Sequence, residues 1–252
     1  MAGSTRLGPR SNIIAAHAVA PLPHHWPWRA SDATVYSAVI FDFDGVIADS
    51  EVRANRTLAE SLTAIGLPTT YEECLRDYCG HNWQETERRI VVRLGRPLPH
   101  DFRERHRERA QKRFAEGFAP VPGAPEFLES LGCLPRAIAS SSSPAYIAAS
   151  LDRFGLARHF GHHVYSADGW ARGKPHPDIY LAAANGLGID PAACLAIEDS
   201  PTGARAALAA GMTVIGFCGG GHILDRAAHG DVLRGVGVHH VAHGYDEVLL
   251  HA

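Results

Sequence analysis

Two aspartates, Asp42 and Asp44, stand two residues apart behind the apolar run VYSAVI, in the stretch FDFDGVIADSE at residues 41–51. In an extended segment alternate side chains share a face, so both carboxylates point the same way. Such a pair can share a divalent cation while one carboxylate attacks an electrophile. A pair of solvated turn aspartates ahead of Gly45 has the same text, so companion residues must decide between the readings.

Three companions do so. RAIASSSS (residues 136–143) is an apolar run ending in four hydroxyls before a helical pattern. Hydroxyls and free backbone N–H groups at a strand-to-helix junction form an anion site, with Ser140 and Ser141 as the candidates. GKPHPD (173–178) holds Lys174 between turn-formers, where its ammonium can neutralise phosphate and carboxylate. CLAIEDS (194–200) is a further apolar run, ending in Glu198 and Asp199. Mg²⁺ takes a few carboxylates together with water and phosphate oxygens, and two strand ends can supply them.

The elements that must position these groups follow from short apolar runs bounded by turn residues. Strands are expected at Tyr36–Phe41, Arg136–Ser140, His163–Ser166, Cys194–Glu198, Thr213–Phe217 and Val238–Ala242, and helices at 145–154, 178–185 and 203–210. Continuous apolar strands alternating with helices predict an α/β fold with a parallel sheet covered on both faces. Between the first two strands lies a charge-dense segment, 52–118, with helical spacing at 52–65, 71–77, 83–94 and 100–116. It reads as a helical insertion, closed by a hinge at Val121–Pro125 that returns the chain to the sheet. Residues 35–51 and 119–252 then form the core. Residues 1–34, with Pro21, Pro23 and Pro27, read as a poorly ordered extension. Within FDFDGVIADSE, Asp49 and Ser50 read as caps of the following helix and Glu51 as a first-turn acid.

Composition narrows the function class. With 252 residues, 24 basic and 27 acidic side chains and a net charge of −3, nothing calls for nucleic acid or an anionic membrane surface. Five scattered cysteines without CxxC spacing point to a reducing compartment, hence the cytoplasm, with Cys194 and Cys218 as small core residues. The sixteen histidines show no zinc-site spacing and read as solvated or partly buried, with Cys218–His222 a loop edging the site. Composition leaves the oligomeric state, monomer or dimer, open.

DFDGVIADS, ASSS, GKPHPDIY and IEDSPTGARAALAAGM, in this order, resemble the four motifs of the haloacid dehalogenase-like superfamily, over roughly Tyr36 to Phe217. The form of the first and last motifs resembles its branch of sugar-phosphate phosphatases and β-phosphoglucomutase-like proteins. The resemblance implies a Rossmann-like core with an inserted helical cap. It also implies Asp42 as the nucleophile forming an aspartyl-phosphate, Asp44 as general acid then base, and Ser140 with the backbone after it as the phosphoryl cradle. Lys174 would neutralise charge, and Mg²⁺ would be held by Asp42, the backbone carbonyl of Asp44, Asp199 and Glu198, the last directly or through water. Dehalogenases lack an aspartate at the position of Asp44, so phosphoryl transfer is expected. The implied substrate is a small phosphorylated metabolite.

Mutases of this branch carry a histidine at the position of Ala54 and an arginine at that of Trp83. Both are absent, which favours a phosphatase over a β-phosphoglucomutase-like phosphomutase. DSEVRANR also resembles phosphatases acting on sugar-acid phosphates such as 6-phosphogluconate. Arg56, His81 and Asn82 are the candidate substrate contacts in the insertion.

Overall fold

The computed structural model describes residues 36–79, 83–168 and 170–249. Six parallel strands form one sheet in the order β3-β2-β1-β4-β5-β6. They are β1 (Ala38–Phe41), β2 (Arg136–Ser140), β3 (Val164–Ser166), β4 (Cys194–Glu198), β5 (Thr213–Phe217) and β6 (His240–Ala242). β2, β4 and β5 have the bounds expected from sequence, and the other three are trimmed at their N-terminal ends.

The first strand thus lies in the middle, with the chain moving outward to one side through β2 and to the other through β4. Ligands of open parallel sheets bind at the carboxyl ends of strands where the order reverses in this way. Alternation splits the strand side chains between two cores. Val39, Phe41, Ile138, Ile197 and Phe217 pack on one face with Phe127 and Phe160. Ala38, Ile40, Ala137, Ala196 and Val214 pack on the other with Ile179 and Tyr180.

Helices α1 (Ser50–Ala64), α2 (Tyr71–Tyr78), α3 (Trp83–Leu94) and α4 (Phe102–Ala115) occupy the insertion. They bury a core of their own, built from Leu58, Ala59, Leu62, Cys74, Tyr78, Ile90 and Phe102. A capping box at Thr70 and Glu73 starts α2. Around the sheet run α5 (Ala124–Ser130), α6 (Pro144–Phe154), α7 (Asp178–Leu187), α8 (Pro201–Ala209), α9 (Arg226–Val236) and α10 (Tyr245–Val248). The expected hinge at Val121–Pro125 is largely the start of α5, with Gly123 at φ +84° and Pro125 in the first turn. Cys194 and Cys218 are buried as expected. The extension 1–34 lies outside the described residues, as do His81 and Asn82. Among the described residues no helix is long and apolar enough to cross a membrane.

Candidate active site

β1 ends at Phe41, so Asp42 stands at the carboxyl edge of the central strand, where its N–H donates to the Ile197 carbonyl at 3.0 Å. Phe41 pairs with Ile197 and Ile138, which places Asp42 level with Glu198 and puts Ser140 one residue further along β2. Lys174 arrives from the loop before α7. Its Nζ donates to Asp42 Oδ1 at 2.7 Å and Glu198 Oε1 at 2.6 Å. Burial disfavours the ammonium, but the charges of Asp42 and Glu198 more than offset that and raise its pKa above the usual lysine value. Asp42 is held well above the ordinary carboxylate range by burial, reinforced by Glu198 and Asp199 and opposed by Lys174.

Glu198 is fully buried and its carboxylate is committed on both oxygens. Oε1 accepts from Lys174 and from the Tyr180 hydroxyl at 2.8 Å; Oε2 accepts from the N–H and hydroxyl of Ser200 at 3.1 and 3.0 Å. Ser200 also caps α8 through the Gly203 N–H. A β-carbon at Gly203 would fall 1.6 Å from Glu198 Oε1, so this glycine makes room for the carboxylate. Burying so many committed groups is tolerable only because each has a partner.

One oxygen each from Asp42, Glu198 and Asp199 lie within 4.8 Å of one another. An all-oxygen set of this kind suits a hard divalent cation such as Mg²⁺. Among the described residues the carboxylate of Asp44 is not part of that cluster, which corrects the expectation of a cation shared by two same-facing aspartates. The strand stops at Phe41 and the chain turns at Gly45, φ +80°, so strand alternation no longer governs Asp44.

Instead Asp44 accepts three hydroxyl bonds. Ser50 and Tyr146 (2.9 Å) donate to Oδ1, and Ser142 donates to Oδ2 at 2.5 Å. Ser140 is buried and its Oγ accepts from the Ser142 N–H at 3.0 Å, whereas Ser141 is exposed. The capping roles expected for Asp49 and Ser50 do not hold. Asp49 sits at the N-cap position of α1 but makes no side-chain cap bond; its Oδ1 accepts from the Gly221 N–H at 3.0 Å. Glu51 is in the first turn as expected, yet it faces inward. Burial raises its pKa, with His222 opposing and Asp44 and Asp199 adding to the effect, and its Oε2 accepts from Asn55 at 3.1 Å.

Arg56 does not join this cluster. Its guanidinium lies 5.3 Å from the Tyr71 ring centroid, and it lines a 220 Å³ cavity with Asp49, Arg53, Arg113 and Phe118. Trp83 stacks on His106 and Phe102, with centroids 5.3 and 6.4 Å apart, and so packs, partly buried, against the core of the helical insertion.

Tyr180, Tyr146 and Ser142 are contacts that sequence reading did not assign; His222 lies in the loop expected to edge the site, but its contact with Asp199 was not assigned. A tyrosine in the apolar run of α7 and a histidine behind three glycines were the available signals. His222 Nε2 lies 3.2 Å from Asp199 Oδ2. Burial opposes protonation of its ring, but the bond to Asp199 and the charges of Asp199, Glu51 and Asp49 raise its pKa. The other C-terminal histidines divide between structural bonds and the surface. His229 Nε2 is 2.6 Å from the Asp199 carbonyl, and His239 Nδ1 accepts from the Val214 N–H at 3.0 Å.

A family model described as haloacid dehalogenase-like hydrolase matches residues 36–211. A fructose-1-phosphate phosphatase of Escherichia coli is 29% identical over 180 residues, covering 71% of this chain and 95% of that protein. A 6-phosphogluconate phosphatase of the same organism is 25% identical over 186 residues, covering 73% of this chain and 84% of that one. The crystal structure of a HAD family hydrolase from Deinococcus radiodurans R1, with bound phosphate and sodium, superposes with a TM-score of 0.76 at 32% identity. It covers 85% of this chain and 94% of the other.

Proposed function

This chain belongs to the haloacid dehalogenase-like hydrolase family, and from that premise we propose that it is a Mg²⁺-dependent phosphatase of small sugar phosphates or sugar-acid phosphates, working through an aspartyl-phosphate on Asp42. The observation that carries the reading is the Lys174 bridge between Asp42 and Glu198 at the end of the central strand. Relatives that act on fructose 1-phosphate and 6-phosphogluconate support the substrate class.

Asp42 and Asp199 would hold the cation through their side chains and Asp44 through its backbone carbonyl. Glu198, with both oxygens committed, would act beyond the direct ligands. The bound cation supplies charge neutralisation to the phosphoryl oxygens. Phosphoryl transfer asks for positioning and electrostatic stabilisation above all, and the remaining residues provide these. Lys174 keeps Asp42 oriented and opposes the charge of the phosphoryl group, while Ser140 and the backbone after it cradle the phosphoryl oxygens.

In the first step an Asp42 oxygen forms a bond to phosphorus. The ester bond to the leaving alcohol breaks, and the alcohol oxygen takes a proton from Asp44. In the second step Asp44 takes a proton from water, whose oxygen attacks phosphorus and frees the Asp42 carboxylate. Asp44 thus serves first as acid and then as base. Ser50, Ser142 and Tyr146 orient its carboxylate between those duties. Closure of the helical cap over the substrate would exclude bulk water.

Ala54 and Trp83 stand where mutases of this branch carry histidine and arginine, and Trp83 is committed to packing. This favours release of phosphate over its return to the sugar. The test is a panel of sugar and sugar-acid phosphates, scored by free phosphate, with Mg²⁺ and with chelator. We expect turnover only with Mg²⁺ and none from D42N. Substantial activity in D42N, or conversion of glucose 1-phosphate to glucose 6-phosphate without free phosphate, would overturn the reading.

A further inference from the structure

We propose that His222 is a positioning residue that sets the carboxylate of Asp199 for cation binding, an inference that rests on the metal assignment above and extends it to the loop after β5. His222 Nε2 is 3.2 Å from Asp199 Oδ2, and both side chains are more than nine-tenths buried. Among the described residues no hydrogen bond reaches Asp199 Oδ1, and one oxygen of this carboxylate lies within 4.8 Å of oxygens of Asp42 and Glu198. The main chain of the same residue is held separately, by His229 Nε2 at 2.6 Å from the Asp199 carbonyl.

The ring is wedged where glycines make way for it. A β-carbon at Gly45, in the turn that follows the two aspartates, would fall 1.9 Å from Asp199 Oδ2 and 2.8 Å from His222 Cε1. One at Gly220 would fall 2.8 Å from both the Gly45 carbonyl and the His222 ring. The loop is anchored on each side of the ring. Gly221 donates to Asp49 Oδ1 at 3.0 Å, the Tyr71 hydroxyl reaches the Gly221 carbonyl at 3.4 Å, and Ile223 N–H donates to the Gly220 carbonyl at 3.1 Å.

Among the described residues His222 Nδ1 is buried without a partner, so the polar contact of this ring is spent on Asp199. A buried imidazole with one bond, aimed at a cluster of carboxylates, is arranged to orient a ligand. Groups that hold a ligand from behind in this way typically change metal affinity tenfold to a hundredfold when removed.

The test titrates Mg²⁺ into the metal-free full-length protein by calorimetry, with thermal midpoints of the same samples. His222→Asn and His222→Ala should weaken Mg²⁺ binding by roughly tenfold to a hundredfold. His222→Gln, whose amide N–H can reach the position of Nε2, should recover most of it. Turnover lost in His222→Asn and His222→Ala should be largely recovered by raising Mg²⁺, so that the loss appears as a shifted Mg²⁺ dependence. Equal Mg²⁺ affinity in wild type and His222→Asn would overturn this inference alone, as would a Gln variant that folds like wild type yet binds no better than Asn. Failure of the wild-type protein to bind Mg²⁺ would overturn the metal assignment and this inference with it.

Discussion

Lys174 meets Asp42 and Glu198 with side chains 7%, 12% and 0% exposed, whereas Arg103 of α4 meets Glu87 of α3 with side chains 59% and 32% exposed. Both are ion pairs, and their surroundings give them opposite weight. At the strand ends water is excluded, so each charge depends on its partner, and removing one leaves the other uncompensated. On the helical cap, Arg88 and Arg89 bond Glu85 and pull its pKa down to about 2, yet that group lies in solvent and the bonds are screened. The cap is the denser in charged residues; the core holds the buried ones. Density of acidic and basic residues therefore says little about chemistry until burial is known.

Four substitutions would break or sharpen this contrast. Lys174→Met should cost about 3–5 kcal/mol of stability, because Asp42 and Glu198 stay buried without their counter-charge. Urea unfolding measures it, and phosphatase activity should vanish in the same variant. Tyr180→Phe removes one donor to a buried carboxylate and should cost about 1.5–3 kcal/mol, with Glu198 still held by Lys174. Gly203→Ala should cost about 1–3 kcal/mol by forcing a methyl against Glu198, read as a lowered thermal midpoint together with weakened activity. Arg103→Ala should cost less than about 1 kcal/mol and leave turnover unchanged. A cap variant as costly as Lys174→Met would erase the distinction.

The strand-end motifs were legible because parallel strands buried on both faces are short apolar runs, and the polar residue ending each run lands at the sheet edge. β2, β4 and β5 follow that rule to the residue. α9 did not stand out, since its text RAAHGDVLRGV contains two glycines and only three large apolar residues; it is anchored by Leu233, which packs in the core beside β5. Asp49 and Ser50 read locally as caps, and local reasoning fails there because a loop 172 positions away supplies the N–H that Asp49 accepts. Arg56 reads as a substrate contact from its distance along α1; the Tyr71 ring beside its guanidinium comes from α2 and is not written in that spacing.

By itself the sequence determined the strand order's chemistry: an aspartate pair, a hydroxyl run, a restrained lysine and a Glu-Asp pair, each directly behind or between apolar elements. Those identities depend on local pattern, which period and turn residues express. Only the tertiary structure decided which carboxylate goes where. Asp42 turns to Lys174, 132 positions away; Asp44 turns to Ser142 and Tyr146, 98 and 102 positions away; Asp199 meets His222 from the loop after β5. Such partnerships are set by sheet register and by where glycines let loops approach, and neither is written in the spacing of nearby residues.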